Sequence, residues 1–158
     1  MLRSEVPRDT DFLFRLFCAN RMGILRLAQI PEAAIDDLIL LQHRSQTSTY
    51  RSLFPNAVYS IVEHNGEPIG RLIENDEKRE VYFVDIALMP KHQQHGFGRA
   101  LIKTLRDEWA ARGRNARAKV AIENEPSMRL FRGLGFIPDD ADADAYVTLR
   151  WKRRHACA

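Results

Sequence analysis

The sequence is poor in the features that commit a chain to a disulfide scaffold, a zinc module or a membrane. Its two cysteines, Cys18 and Cys157, form no CxxC, and no histidine pair stands at ligand spacing. Disulfide and zinc frameworks are therefore not expected, and a reducing compartment fits. No apolar run approaches the roughly 20 residues that a spanning helix needs. The longest candidate, Leu38-Ile39-Leu40-Leu41, lies between Asp36-Asp37 and Gln42-His43. The N-terminus, Met1-Leu2-Arg3-Ser4-Glu5-Val6-Pro7, carries a charge every few residues and lacks the apolar centre of a signal peptide. A soluble, cytoplasmic protein is the expectation. Charge of one sign is also scarce: 24 Lys+Arg against 21 Asp+Glu leave +3, too little to argue for nucleic acid. There is no internal repeat and no Gly/Ser linker, and the one biased stretch, the acidic run 139–144, is short enough to be a loop.

What is present reads as one globular domain over residues 1–158, with 45% hydrophobic and 28% charged residues. Residues 10–20 have helical spacing in Phe12, Leu13, Leu16 and Phe17, with Thr10 as a cap. A second helix opens at Pro31, with Ile35, Leu38, Ile39 and Leu41 as its apolar face, and must end by Pro55. The period then changes. Runs 57–63 and 68–74 flank Asn65-Gly66, a hairpin signal because both central residues tolerate positive φ. The run 80–89 is almost continuously apolar and reads as a strand buried on both faces. A helix over 96–112 carries Phe97, Leu101, Leu105 and Trp109 on one face, with Gly113 as its stop. A strand through Val120 and Ile122, a short helix at 125–134 closed by Gly135, and a strand at 145–151 follow. Strand–helix–strand implies a parallel crossover and the hairpin adds antiparallel pairs, so a mixed, twisted α/β sheet is expected.

The chemistry concentrates in Leu88-Met89-Pro90-Lys91-His92-Gln93-Gln94-His95-Gly96-Phe97-Gly98-Arg99. A strand ends at Pro90, and two glycines open an amphipathic helix. First-turn amides lack intrahelical partners and sit at the positive end of the helix dipole, which suits a phosphate or pyrophosphate above residues 94–99. Lys91 and Arg99 add charge. A dinucleotide fingerprint is excluded because its third glycine would stand at Leu101, and no GxxxxGK[ST] occurs. The plainer alternative is a tight strand–helix turn relieved by glycine.

Gln93-x-x-Gly96-x-Gly98 resembles the pyrophosphate motif Q/R-x-x-G-x-G/A of the GNAT superfamily of N-acetyltransferases. About thirty residues on, Asn124-Glu125-Pro126-Ser127-Met128-Arg129-Leu130-Phe131-Arg132-Gly133-Leu134-Gly135-Phe136 is similar to the family's second motif, N-x-x-A-x-x-L-Y followed by Gly-Phe. With the element order, the resemblance covers residues 57–150 and extends more weakly before them. It implies a GNAT-like, mostly antiparallel twisted sheet with a central parallel strand pair and helices on both faces. Residues 8–54 would then lie on the acceptor side.

The implied activity is transfer of acetyl from acetyl-CoA to a primary amine, by direct attack in a ternary complex and without a metal. The implied cofactor residues are Ile86 and Leu88 along the pantetheine arm and Gln93, Gln94, His95, Gly96, Phe97, Gly98 and Arg99 at the pyrophosphate. Asn124, also a natural N-cap, and Phe131 complete the set. The Leu88 amide would serve the oxyanion. Asp85 is the candidate general base, with a buried structural aspartate as the alternative; burial there would raise its pKa. Glu74, Glu80 and Tyr82 are weaker candidates. Two positions depart from the pattern: His95 stands where arginine is common, and Phe131 replaces the tyrosine that protonates the departing thiolate. A thiolate of pKa ~8.5 can leave unaided, so the enzyme reading stands, with a non-catalytic acyl-CoA sensor as the alternative.

Partners implied are a small-molecule or peptide amine, with no membrane; a homodimer is common in the resembled family, though no residue here demonstrates it. The acidic run could attract a cationic acceptor or be a solvated turn. His43, His64, His92 and His155 stand singly and read as surface or packed residues. A nucleic-acid module, raised by Arg112, Arg114, Arg117, Arg150, Lys152, Arg153 and Arg154, lacks an aromatic stacking platform, so solvated charge is the better reading.

Overall fold

In a computed structural model, residues 1–28, 30–139 and 145–153 are described. Most of the acidic run (140–144), together with Arg154, His155 and Cys157, lies outside the described residues. The elements are β1 (Leu2–Ser4), a 3-10 turn (Pro7–Asp9), α1 (Thr10–Leu27), α2 (Glu32–Leu53), β2 (Val58–His64), β3 (Glu67–Asp76) and β4 (Glu80–Leu88). A second 3-10 turn (Pro90–His92), α3 (Phe97–Ala111), β5 (Asn115–Ala121), α4 (Glu125–Gly133), β6 (Ile137–Pro138) and β7 (Tyr146–Trp151) follow. Among the described residues seven strands form one sheet, ordered β1-β2-β3-β4-β5-β7-β6. It is mixed and mostly antiparallel, with β4 and β5 as the parallel pair, as the expected crossover requires.

The chain groups into two compact units: Met1–Leu72 with Ile86–Gln93, and Ile73–Asp85 with the residues from Gln94 on. In the first unit the apolar stripe of α1 divides its work. Phe12 and Leu16, one helical turn apart, pack with Ile61 of β2 and with Leu13, Ala87 and Met89. Phe17 faces Ile35 and Ile39 of α2, with Phe14, Cys18, Met22, Ile30 and Leu38 around them. That second contact carries α1 to Leu27 rather than stopping it near residue 20, because packing on α2 outweighs the poor helix propensity of Gly23. At the hairpin Asn65 (φ 51) and Gly66 (φ 80) adopt the two left-handed conformations that their sequence announces.

In the second unit Val81, Ile102 and Leu149 have no exposed surface. Phe131 sits edge-on to Phe136 at 5.1 Å, with Phe83 at 6.3 Å from Phe131 and 6.4 Å from Phe136. Three expectations need correction. β4 is not buried on both faces: Val81, Phe83 and Leu88 are buried, whereas Tyr82 and residues 84–87 keep partial exposure. Leu41 is 65% exposed, outside the face of Ile35 and Ile39, because it follows Ile39 by only about 200° of helical turn. Ile122 lies beyond the end of β5 and is 56% exposed. β1 and β6 had no expectation; with three and two residues they are too short to show a period, and Pro138 is tolerated because β6 is an edge.

Candidate functional site

In the first unit the end of β4 is held from several sides. The Leu88 carbonyl accepts hydrogen bonds from Asn20 Nδ2 at 3.2 Å and from Gln93 Nε2 at 2.9 Å. Gln93 Nε2 also donates to Asn20 Oδ1 at 2.8 Å, so a residue of α1 and the first residue of the glycine motif brace one peptide. The Met89 amide donates to Ile69 O of β3 at 2.8 Å. Beside it Gly70 admits no side chain: a Cβ there would meet the Ala87 carbonyl oxygen and lie 2.5 Å from Leu88 Cδ2. Leu88 itself is buried, Ile86 partly so.

In the second unit the parallel register runs from Glu80↔Asn115 to Phe83↔Ala118. Within that unit the pairing ends at Phe83↔Ala118, while β4 is still extended through Asp85 and β5 through Ala121. The glycine turn follows β4 in the chain. Gln93 is extended (φ −74, ψ 158), Gln94 has φ 60 and Gly96 φ 84, after which α3 begins at Phe97. Gly96 caps α3 without a side chain, a conformation that a Cβ would strain. Positive-φ residues alternating with negative-φ ones are the kind of turn in which successive N–H groups can converge on an anion. Gln94, His95, Gly96 and Arg99 are exposed, Phe97 and Gly98 half-buried. The Arg99 guanidinium donates to Gly133 O at 2.9 Å. At α4, Asn124 Oδ1 accepts the Ser127 amide at 3.2 Å with Pro126 in the first turn, the N-cap expected of it. The Phe131 ring is 3% exposed within the aromatic cluster.

The carboxylates separate by environment. Asp85 is half-buried on β4. Glu74, 7% exposed, accepts Trp109 Nε1 at 3.0 Å, and burial pushes its carboxyl above the usual range. Glu80 is bound by Arg150 at 2.7 Å and by Arg117 at 3.2 Å. Tyr82 lies under the Arg117 guanidinium at 3.8 Å, and burial raises its phenol. Glu74 and Glu80 are thus engaged in the fold. Several arginines behind the nucleic-acid alternative are engaged too: Arg114 binds Asp76 and the Glu77 carbonyl, Arg117 binds Glu77, and Arg150 binds Asp139 and Glu80. His43 packs against Phe14 and Phe17 at 5.3 and 5.2 Å, and burial pulls its pKa down, in keeping with a packed histidine.

A family model described as the acetyltransferase (GNAT) family matches residues 25–136, well over half of the chain. The chain belongs to the GNAT family of acetyltransferases. Solved GNAT-fold structures agree along its whole length. The PaiA N-acetyltransferase of Thermoplasma acidophilum, solved with coenzyme A, is 15% identical with TM-score 0.71, covering 96% of this chain and 98% of its own. The ribosomal-protein-S18-alanine N-acetyltransferase of Escherichia coli is 18% identical with TM-score 0.66, covering 99% and 96%. A spermidine N-acetyltransferase SpeG chimera from Vibrio cholerae and hSSAT gives 18% identity and TM-score 0.66, covering 97% and 95%. At these identities the likeness is one of fold. A search of curated proteins found no match.

Within the GNAT frame, Asn20 and Gly70 are what the sequence reading missed. Gly70 carried a signal, since glycine inside a strand marks a close backbone approach. Asn20 carried none beyond being a poor helix former.

Proposed function

We propose that the protein is an acetyl-CoA-dependent N-acetyltransferase acting on a primary amine by direct attack in a ternary complex. The observation that carries this reading is the cessation of β4–β5 pairing after Phe83↔Ala118, followed by a capless, positive-φ turn into α3. Such a strand end and turn suit a long ligand with a pyrophosphate: amides of residues 94–99 would take the phosphates, and the backbone at Ile86 and Leu88 the extended arm. Bound acetyl-CoA supplies the activated thioester. The chain's own part follows from its residues. The Leu88 amide would donate to the oxygen that becomes negative when the amine attacks, and one such donor is worth about 3 kcal/mol of barrier. Asn20 and Gln93 hold the adjoining carbonyl, so Gln93 serves as a brace at the base of the loop.

The ammonium must first lose a proton, and Asp85 is the carboxylate proposed to take it. As the new C–N bond forms the C–S bond breaks, the pair leaves on sulfur, and the extra proton on the new amide nitrogen passes to water. Phe131 has no proton to give, so the thiolate departs unprotonated, consistent with the ordinary thiol pKa of ~8.5. The acceptor is a small-molecule or peptide amine. Among the described residues no helix is long and apolar enough to cross a membrane.

The test is the unfolding midpoint with acetyl-CoA, CoA, NADH or ATP in large excess. At ~100-fold Kd a ligand adds ~2.7 kcal/mol, a rise of roughly 5–10 °C for a domain of this size. A rise confined to the CoA species is expected, with amine-dependent thiol release in an acceptor screen. No rise with either CoA species would overturn the reading. The burial of Phe131 favours one second reading, an acyl-CoA sensor, which binds CoA but releases no thiol with any amine.

A further inference from the structure

One face of the second unit carries a groove of about 730 Å3 between α3, the end of α4 and the end of β7. Five cations line it: Arg99, Lys103, Arg106, Lys152 and Arg153, with Trp151 at its wall. Two of the arginines are positioned by backbone carbonyls at the end of α4, which do not cancel their charge. Arg99 donates to Gly133 O at 2.9 Å, and Arg106 donates to Leu134 O at 2.6 Å while lying over the Trp151 ring at 5.1 Å. Asp107 offsets part of the field, binding Lys103 at 3.1 Å and Arg106 at 2.6 Å. A net positive groove with preset guanidinium groups remains.

We propose that this groove binds a phosphate-rich anion, a ligand with two or more linked phosphates such as a polyphosphate or a nucleoside polyphosphate. The groove meets the turn that heads α3 at Arg99 and runs away from it: Arg106 lies seven residues beyond Arg99, about 10 Å along the helix at 1.5 Å per residue. Lys152 and Arg153 line it outside the proposed cofactor residues. The charge density selects phosphate over an acidic peptide. A terminal phosphate brings up to two charges where a carboxylate brings one, and its oxygens match the fork of a guanidinium. The volume suits a ligand of nucleotide size.

The test is calorimetric titration of the full chain with inorganic tripolyphosphate, alone and after saturation with CoA, in wild type and in Lys152→Glu/Arg153→Glu. Neither substituted residue belongs to the proposed acetyl-CoA site. Binding is expected in both wild-type arms, to weaken with added salt, and to fall at least tenfold in the double variant while its melting point and CoA affinity stay unchanged. Lys103→Glu gives a second reading of the same loss if the double variant folds poorly. Undetectable binding, undiminished binding in the variants, or loss of binding on CoA saturation overturns the proposal, the last by showing that the anion occupied the cofactor's phosphate position. Should CoA itself not bind, the acetyltransferase reading falls, and the variant arms still decide the groove.

Discussion

Gly70 shows how little room a single position can leave. Its missing Cβ would run into the Ala87 carbonyl oxygen and Leu88. Backbone cannot swing aside as a side-chain tip can, so Gly70→Ala must push β4 outward at Ala87 and Leu88. The expected cost is about 1–3 kcal/mol, the range of overpacking, read as a fall of several degrees in melting point. Because the displaced residue is Leu88, acetyl-CoA should also stabilise the variant less than wild type. An alanine variant with unchanged melting point and unchanged acetyl-CoA response would refute the close approach. Residues of this kind divide by what announces them. A glycine inside a strand is visible in a sequence, and so is the turn glycine Gly96. Asn20 is not, because its role depends on where α1 passes the end of β4, a contact 68 residues apart in the chain.

At the scale of elements, α3 is held by more than its apolar stripe. Its Trp109 donates from Nε1 to the buried Glu74 of β3, and Arg112 stacks over the same indole at 4.9 Å. Burial is the largest influence on Glu74, raised further by Glu108 and opposed by the Trp109 bond and Arg112. A carboxyl whose folded pKa is raised penalises the fold once pH climbs above that pKa, and the penalty vanishes below the unfolded value. Glu74→Gln keeps an acceptor for Trp109 and removes the charge. It should therefore raise the melting point at pH 8, with the gain disappearing near pH 4. A loss that grows as pH rises would mean that the ionised form is the stabilising one. Elements such as α3, α4 and the hairpin were legible because period, caps and turn residues agree locally. The C-terminal half of α1 and the exposure along β4 were not, since each depends on what packs alongside.

For the molecule as a whole, a near-balance of charges is a matter of pairing as much as of counting. Arg3 forks onto Asp9 with two bonds of 2.7 Å and reaches Glu63 at 2.6 Å, tying β1 to the turn before α1 and to β2. Asp9 is 4% exposed, and chiefly through its bonds to Arg3 its pKa falls to about 2 from 3.8. A depressed carboxylate contributes stability that is complete above the unfolded pKa and is lost as pH drops toward the folded one. For Asp9 that loss falls between about pH 4 and pH 2 and amounts to roughly 2 kcal/mol. Asp9→Asn should therefore unfold at lower urea than wild type at pH 7, by an amount constant down to pH 5 and shrinking as pH approaches 3. Asp107, lowered by Arg106 and Lys103, is too exposed to add much to this limb. Glu74, whose shift has the opposite sign, gains as the acid is added. The acid limb of wild type should thus report the Arg3–Asp9 clamp, and parallel limbs in wild type and Asp9→Asn would show that some other carboxylate controls it.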